Sequence, residues 1–536
     1  MLRALGRSLD AIEHRFCWIA RRRGLAIVLA GAISLAARAI LLPVLPIPKP
    51  AIQDEFSYLL ASDTFASGRL ANPTPPFAEH FETLQELMHP TYASKYPPLS
   101  GLVMALGQKL TGEPWVGVWL STGLMCATLC WSLQGWLPPG WALLGSLVAL
   151  ARIGIVSYWT ESYWGGTCAA IGGALVIGAL PRLMRSAQPG TALAFAAGLA
   201  ILANTRPYEG LVLAIVCPAA LAFAFIRSPF STRYLARAVI LPIALLLAPV
   251  FGWMGYYNYR VTGHALAIPY LVHDKQYVIR SPLLWQNQPN PMPVYSNSVL
   301  KEFWTVAAAN ENQSARDHWL KAHVSDLLTL GHFFLGWPLA LSMIAFARPM
   351  WRDPSARAAL LLAAGFYAGV AWDARLFPHY AAPATALIYI LAASSLRAIR
   401  NAWPGTFAER RYITCGVLGL FALTTGMAML SPENRFLFGP VDYHVRSKHA
   451  AIVEKLEQDP GQHLVLVSYG SRHDLYEELV FNQADIERSR IVWARSLGPE
   501  KDSRLIDHFS GRQVWLLEED GDLKLTSGAQ LESRRR

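Results

Sequence analysis

The sequence predicts an α-helical polytopic membrane protein of about eleven spans, carrying a small soluble α/β domain at its C-terminus. Three observations lead there. Hydrophobic residues make up 53% of the 536 and charged residues only 16%, with a mean hydropathy of +0.27, which marks an integral membrane protein. Several apolar runs approach the roughly 20 residues needed to cross a hydrocarbon core of about 30 Å. From residue 431 onward these runs give way to short alternating strand and helix patterns.

The expected spans centre on 25–45, 115–135, 140–157, 164–181, 190–204, 209–226, 237–257, 325–346, 358–372, 379–396 and 412–430. The segment 98–111 is too short and interrupted for a span and reads as a re-entrant or interfacial helix. Direction follows from Lys and Arg in the short loops. Arg21, Arg22 and Arg23 precede the first span, so 1–23 is a basic cytoplasmic N-terminus. Counting onward, the inner loops carry Arg182 and Arg185, then Arg227, Arg233 and Arg237, then Arg348, Arg352 and Arg357, then Arg397, Arg400, Arg410 and Arg411. An odd number of spans places the tail, 431–536, on the extracytoplasmic side of an inner (plasma) membrane. The net charge of +10 is accounted for by these loops and needs no nucleic-acid partner.

All six cysteines (Cys17, Cys126, Cys130, Cys168, Cys217 and Cys415) lie in or beside spans, so no disulfide framework is expected. Cys126 and Cys130 share a helix face as a metal pair would, but in an apolar span they read as small hydrophobes. The N-terminal stretch lacks a small-residue cleavage site, so its apolar run reads as a retained span of the multispan domain 24–430.

Two outer loops, 46–98 and 257–323, are long enough to build something. In the first, "DEFSYLLASDTFASG" places Phe56, Leu59, Leu60 and Phe65 near helical spacing with Gly68 as a stop, predicting an amphipathic helix along the outer surface. The second is rich in Pro, Asn, Gln and aromatics and predicts an irregular ordered loop over the mouth of the bundle. In the tail, "HLVLVSYG", "RIVWARSL" and "RQVWLLEED" read as strands, separated by helical patterns in "HDLYEELVFN" and "SRLIDHFSG". That order implies parallel pairing. The turn "SYGSRHD" lacks G-x-G-x-x-G, so no nucleotide cofactor is expected, and the tail reads as a structural or acceptor-docking module.

The chemistry concentrates at Asp54 and Glu55, an acidic pair just beyond the first span. Adjacent helical residues point about 100° apart, so one acid can act while the other binds or holds the loop. A carboxylate there can take a proton from an acceptor hydroxyl or amine, or ligate a divalent cation. A solvated loop acid is the ordinary alternative. Downstream, "HPTYASKYPPLSGL" brings His89, Tyr92, Lys95 and Tyr96 before Pro97-Pro98, and Lys95 at the membrane surface suits a lipid phosphate or simple snorkelling. Glu161 lies in an outer turn among Tyr158, Trp159, Tyr163 and Trp164, which could form an interfacial belt or a sugar-stacking wall. Arg206 and Glu209 occupy another outer turn, where they could pair or where the arginine could hold a phosphate. Arg38 and Arg152 lie toward the outer ends of their spans and read as snorkelling.

Taken together, an acidic pair after the first span, a lysine-proline-proline element before the second and basic inner loops resemble the GT-C superfamily of membrane glycosyltransferases. Within it the chain is most similar to the protein O-mannosyltransferases and the lipid A aminoarabinose transferases. The resemblance covers roughly 21–430 and implies inverting sugar transfer from a polyprenyl-phosphate-linked donor to a lipid, glycan or protein acceptor on the extracytoplasmic side. It implies Asp54 as general base, with Glu55 as the second acid, and Tyr58 and Tyr96 join Glu55 and Lys95 as expected substrate-binding residues. Lys95 stands for the family's lysine, although Tyr96 is inserted before the prolines. "DARLFPHYAAPA" resembles the family's late arginine-tyrosine-proline element through Tyr380 and Pro383, with His379 in the arginine's place and Arg375 as a substitute charge. Some members hold a divalent metal, for which Glu55, His89 and His264 are the candidate ligands. Glu161 and Arg206 complete the expected substrate-binding set. Two other readings share many of these features: a ligase or polymerase acting on a lipid-linked glycan, and a lipid or solute transporter.

Overall fold

In the computed structural model, which describes residues 2–430, 443–519 and 523–527, a bundle of long helices carries a compact set of loops at one end and an α/β tail docked on those loops. Each of the eleven expected spans coincides with a helix: Arg23–Ile40, Trp115–Trp136, Pro139–Ile153, Thr167–Ser186, Pro189–Ala203, Pro207–Ile226, Leu241–Thr262, Trp319–Ala345, Pro354–Val370, Thr385–Ala402 and Phe407–Leu430. Among the described residues, eight helices are long and apolar enough to cross a membrane, and Pro139–Ile153 and Pro189–Ala203 are shorter apolar ones. Proline opens many of them, including Pro139, Pro189, Pro207 and Pro354. The first turn has no intrahelical use for the missing N–H, and the ring presets φ.

Burial separates inner helices from peripheral ones. The apolar windows of Thr167–Ser186 and Ala382–Ala402 are 78% and 83% buried, whereas that of Thr232–Thr262 is 11% buried although it is more hydrophobic. An apolar helix left this open within the protein is suited to a lipid environment. Trp319–Ala345 is broken at Gly336, whose φ of 62° and ψ of 163° are not helical. The carbonyls near the break are not orphaned: Arg152 donates to the oxygens of His332 and Phe333, and Tyr389 Oη to that of Phe334. Arg152 is thus an interior tie, not the snorkelling residue expected from its place in the sequence.

Several expectations change in the loops and tail. A helix, Leu2–Arg21, precedes the first span, and Arg411 and Arg400 pair with its Asp10 and Glu13. Gln53–Ala66 is the predicted helix, but it is enclosed on both sides, by Pro98–Thr111 and by the tail, instead of lying along an outer surface. Pro98–Thr111 packs closely on it at Gly101, where an added Cβ would come within 2.7 Å of the Ala61 Cβ. The loop 257–323 is largely helical in its second half, with Ser298–Glu302, Phe303–Ala307 and Ala308–Asp317.

The tail sheet has the order Ile491–Arg495, His463–Tyr469, Gln513–Glu519, Leu523–Ser527. The first three strands are parallel and the last is antiparallel. Pro499–His508 is helical, but the pattern at 473–482 is not. That segment runs irregularly because its polar groups find tertiary partners: Glu478 pairs with Arg495 at 2.6 Å, and the Asn482 side chain exchanges two hydrogen bonds with the Trp493 backbone at 2.7 and 2.9 Å. One sheet face buries Leu464, Leu466, Val492 and Ala494 together with Leu60, Phe81, Met88 and Tyr92 of the first loop. This shared apolar cluster seats the tail on the bundle.

Candidate active site

Gln53–Ala66 starts at a bend that Glu55 closes. Its Oε2 accepts from the amides of Ala51 and Ile52 at 2.8 and 3.3 Å, and its Oε1 from the amide of Tyr163 at 3.1 Å. The first pair caps the helix, and the second ties it to the turn before Thr167–Ser186. Glu55 is fully buried, so the substrate-binding and metal-binding roles expected for it are replaced by a structural one. The 100° step along the helix leaves Asp54 half-buried and facing the other way. Asp54 Oδ1 accepts from the hydroxyl of Tyr96. The insertion of Tyr96 before the prolines therefore places a phenol directly on the acid.

Around Asp54 the walls are aromatic. The Tyr58 ring stacks on Tyr96 with centroids 4.3 Å apart and 12° between planes. Burial pushes the Tyr58 hydroxyl up to about 12, and burial together with Asp54 raises Tyr96, so both phenols stay protonated donors. Lys95 is buried, with its ammonium 4.6 Å from the Tyr270 ring centroid, 5.3 Å from that of Tyr96 and 5.9 Å from that of Trp304. Burial pulls its pKa below the ordinary value, and the charges of Asp274 and Asp54 act in the opposite direction. Lys95 forms no ion pair with a described residue. Beside it a narrow recess is lined by Pro97, Pro98, Asn204, Met254 and Ile268.

A second cation, Arg206, stands at the residue before Pro207–Ile226 and lies over the Tyr380 ring at 4.9 Å. Burial opposes its charge, but the surrounding Tyr58, Glu209 and Tyr380 outweigh that and raise its pKa. Its side chain makes no hydrogen bond or ion pair with a described residue, so of the two alternatives for Arg206 the pairing with Glu209 is not formed.

The segment 371–384 supplies the opposite wall. Asp373 accepts from the Arg375 amide at 3.0 Å, and Asp326 accepts from the Leu376 amide at 2.8 Å. Arg375 pairs with Glu311 at 2.7 Å and so is already matched in charge. His379 is buried, with Nδ1 2.9 Å from the Tyr158 hydroxyl and its ring stacked on Phe377. Burial, then Arg206, holds its pKa well below the usual range, so His379 is a neutral group and does not replace an arginine's charge.

Other expected binding residues are spent elsewhere. Glu161 is buried in a pair with Arg38, Nε at 2.6 Å from Oε1 and Nη2 at 3.0 Å from Oε2, which leaves neither at a substrate surface nor snorkelling. Tyr158, Trp159, Tyr163 and Trp164 are buried as well, forming interior wall in place of an interfacial belt. His89 and His264 are exposed, and no group of three or more metal-type side chains occurs among the described residues. With Glu55 committed to backbone amides, the expected set of Glu55, His89 and His264 does not fit a divalent metal.

Tyr270, Asp274, Trp304 and Asp373 belong to the site but were not singled out from the sequence. Tyr270 and Asp274 were findable, being i, i+4 on the proline-opened helix Pro269–Tyr277. Asp373 opens "DARLFPHY"; it is half-buried, and desolvation there raises its pKa to about 7.

No family model matches the chain, and no curated protein matches its sequence. Solved structures do. ArnT from Cupriavidus metallidurans bound to undecaprenyl phosphate is similar with a TM-score of 0.51 and 15% identity, over 92% of each chain. The oligosaccharyltransferase of Archaeoglobus fulgidus in complex with Zn and sulfate is similar with a TM-score of 0.50 and 11% identity, over 92% of this chain and 67% of that one. At these identities the likeness is one of architecture, and by that architecture the chain is a multi-pass membrane protein with the GT-C fold.

Proposed function

We propose that this protein is an inverting membrane glycosyltransferase, moving a sugar from a polyprenyl-phosphate-linked donor to an acceptor hydroxyl or amine on the extracytoplasmic side. The observation that carries this reading is a site that holds Asp54 and two cations, Lys95 and Arg206, neither of which forms an ion pair with a described carboxylate. The fold supports it, since ArnT of the same architecture was crystallised with undecaprenyl phosphate.

The roles follow from charge. Asp54 takes the proton from the acceptor O–H or N–H, and the freed lone pair attacks the anomeric carbon from the face opposite the donor phosphate. The bond from that carbon to the phosphate oxygen breaks with its electrons, and the phosphate gains one negative charge. Lys95, from a buried position, and Arg206 meet that charge. The protonated phenol of Tyr58 is a donor for sugar or phosphate oxygens, while the single donor proton of Tyr96 is spent on Asp54, which it orients. The recess beside Lys95 receives the first isoprene units, leaving the rest of the tail in lipid. No step is assigned to a metal. The Lys and Arg of the inner loops support a cytoplasmic N-terminus for this reading, with 46–98, 257–323 and the tail on the extracytoplasmic side.

A transporter reading would lean on the break at Gly336, but Arg152 and Tyr389 already satisfy carbonyls there, so the break offers no solute site. Purified protein supplied with a panel of radiolabelled polyprenyl-phosphate sugars decides the activity. Asp54→Asn is expected to lower transfer by about 10²- to 10⁴-fold while still binding undecaprenyl phosphate. Lys95→Ala is expected to raise the donor concentration required. Absence of transfer by the wild type across the panel, or full transfer by a folded Asp54→Asn protein, sinks the proposal. Transfer that requires a preassembled lipid-linked glycan would instead identify a ligase or polymerase.

A further inference from the structure

The irregular segment 473–482 of the tail reaches toward three of the charged groups of the site, Arg375, Lys95 and Asp54. Toward the segment 371–384, the Tyr476 hydroxyl donates to Glu311 Oε2 at 3.0 Å, and Glu311 Oε1 lies 2.7 Å from Arg375 Nη1. Toward Lys95, Leu475 packs on the cluster containing Phe303 and Trp304, and the Tyr476 ring meets Phe303 edge-on at 5.5 Å. Trp304 is in turn one of the rings around the Lys95 ammonium. Toward Asp54, Phe481 stacks on Phe56 with centroids 4.3 Å apart and planes 1° from parallel.

From this geometry we propose that the 473–482 segment is a working part of the site, with Tyr476 a positioning residue that sets Arg375 through Glu311. The proposal rests on the glycosyl-transfer reading for what the cations bind. Glu311 is the joint of the relay. Its two oxygens divide between a cation and a phenol, and a carboxylate shared in this way is fixed in rotation as neither bond alone would fix it. Without the Tyr476 hydroxyl, Glu311 lies on the partly open helix Ala308–Asp317 with one anchor, free to close fully on Arg375 or to swing away with it. Arg375 is close enough to depress the Lys95 pKa, so its position alters the field in which a donor phosphate is held. The segment itself is rigidly held, by Glu478 on Arg495 and by Asn482 on the Trp493 backbone. It can therefore transmit the position of the tail to the site.

The test uses the full chain and two readouts. The first is the affinity for undecaprenyl phosphate in detergent, and the second is amide hydrogen exchange over 371–380. Tyr476→Phe removes one hydroxyl from a partly exposed side chain and should leave the thermal midpoint unchanged. It is expected to weaken binding about three- to tenfold and to speed exchange over 371–380, with both effects absent in an Arg375→Ala background. Unchanged affinity and exchange in Tyr476→Phe would overturn the proposal, as would an equal loss in the Arg375→Ala background. A wild-type protein that does not bind undecaprenyl phosphate defeats the transfer reading instead, and exchange over 371–380 then decides the relay by itself.

Discussion

Asp54 and Glu55 are chain neighbours that the helix separates by a third of a turn, and the separation is what gives them different surroundings. Glu55 accepts from three backbone amides, whereas the side-chain hydrogen bond of Asp54 among the described residues comes from the Tyr96 phenol. Their separation was legible in the sequence; which of them turned inward was not, because it depends on the amide of Tyr163, more than a hundred positions away. Asp373 shows the same limit more sharply. Burial raises its pKa from the ordinary 3.8 to about 7, with Glu209 and Asp326 adding to the rise and Arg375 opposing it. The folded protein thus holds this proton more tightly than the unfolded chain. The resulting stability is complete below about pH 4 and is lost as pH rises through about 7. Thermal midpoints measured from about pH 5 to 8 should therefore fall more steeply in the wild type than in Asp373→Asn, which cannot ionise. Parallel profiles for the two proteins would show that Asp373 does not titrate in this window.

At the scale of elements, the long helices were readable because each combines an apolar run with a start signal, proline in many cases. Their contacts were not readable. Gly173 of Thr167–Ser186 lies against Pro383, and a Cβ added there would fall 1.9 Å from the Pro383 oxygen, with backbone on both sides of the clash. Gly173→Ala must push away the segment that carries His379 and Tyr380, and is expected to cost about 1–3 kcal/mol of stability along with most of the transfer activity. Thermal unfolding and the radiolabel assay measure the two effects, and a variant matching the wild type in both would show that the contact is slack. The segment 473–482 failed as a predicted helix for the opposite reason: its local pattern was favourable, but Glu478 and Asn482 find better partners across the sheet.

For the whole molecule, the question is how the tail belongs to the bundle. Phe81 of the first loop is buried in the cluster it shares with the tail sheet, 6.4 Å from the Phe509 ring, while Asp63 accepts from the Ala484 amide at 2.8 Å and Tyr92 donates to the Asn482 carbonyl at 3.0 Å. An interface built this way is a continuation of the core more than a tethered contact. Phe81→Ala removes the largest of those loop side chains apart from Tyr92, and by analogy with other buried aromatics should cost about 3–5 kcal/mol. Limited proteolysis should then release the tail from Phe81→Ala faster than from the wild type, and equal rates would mean that the tail is held by other contacts.

By itself the sequence determined the membrane class, the places of the helices, the strands at the centre of the tail sheet and the acidic pair with its lysine. All of these are written in local composition and in periods of a few residues, which act before any distant contact forms. Only the tertiary structure decided which charges are spent and which are free. Arg38 with Glu161, Arg375 with Glu311 and Glu55 with its amides are satisfied by partners that no spacing reveals, while Lys95 and Arg206 form no ion pair with a described carboxylate. The physical reason is that a charge is matched in three dimensions, and the pairing of groups hundreds of residues apart is fixed only when the chain has packed.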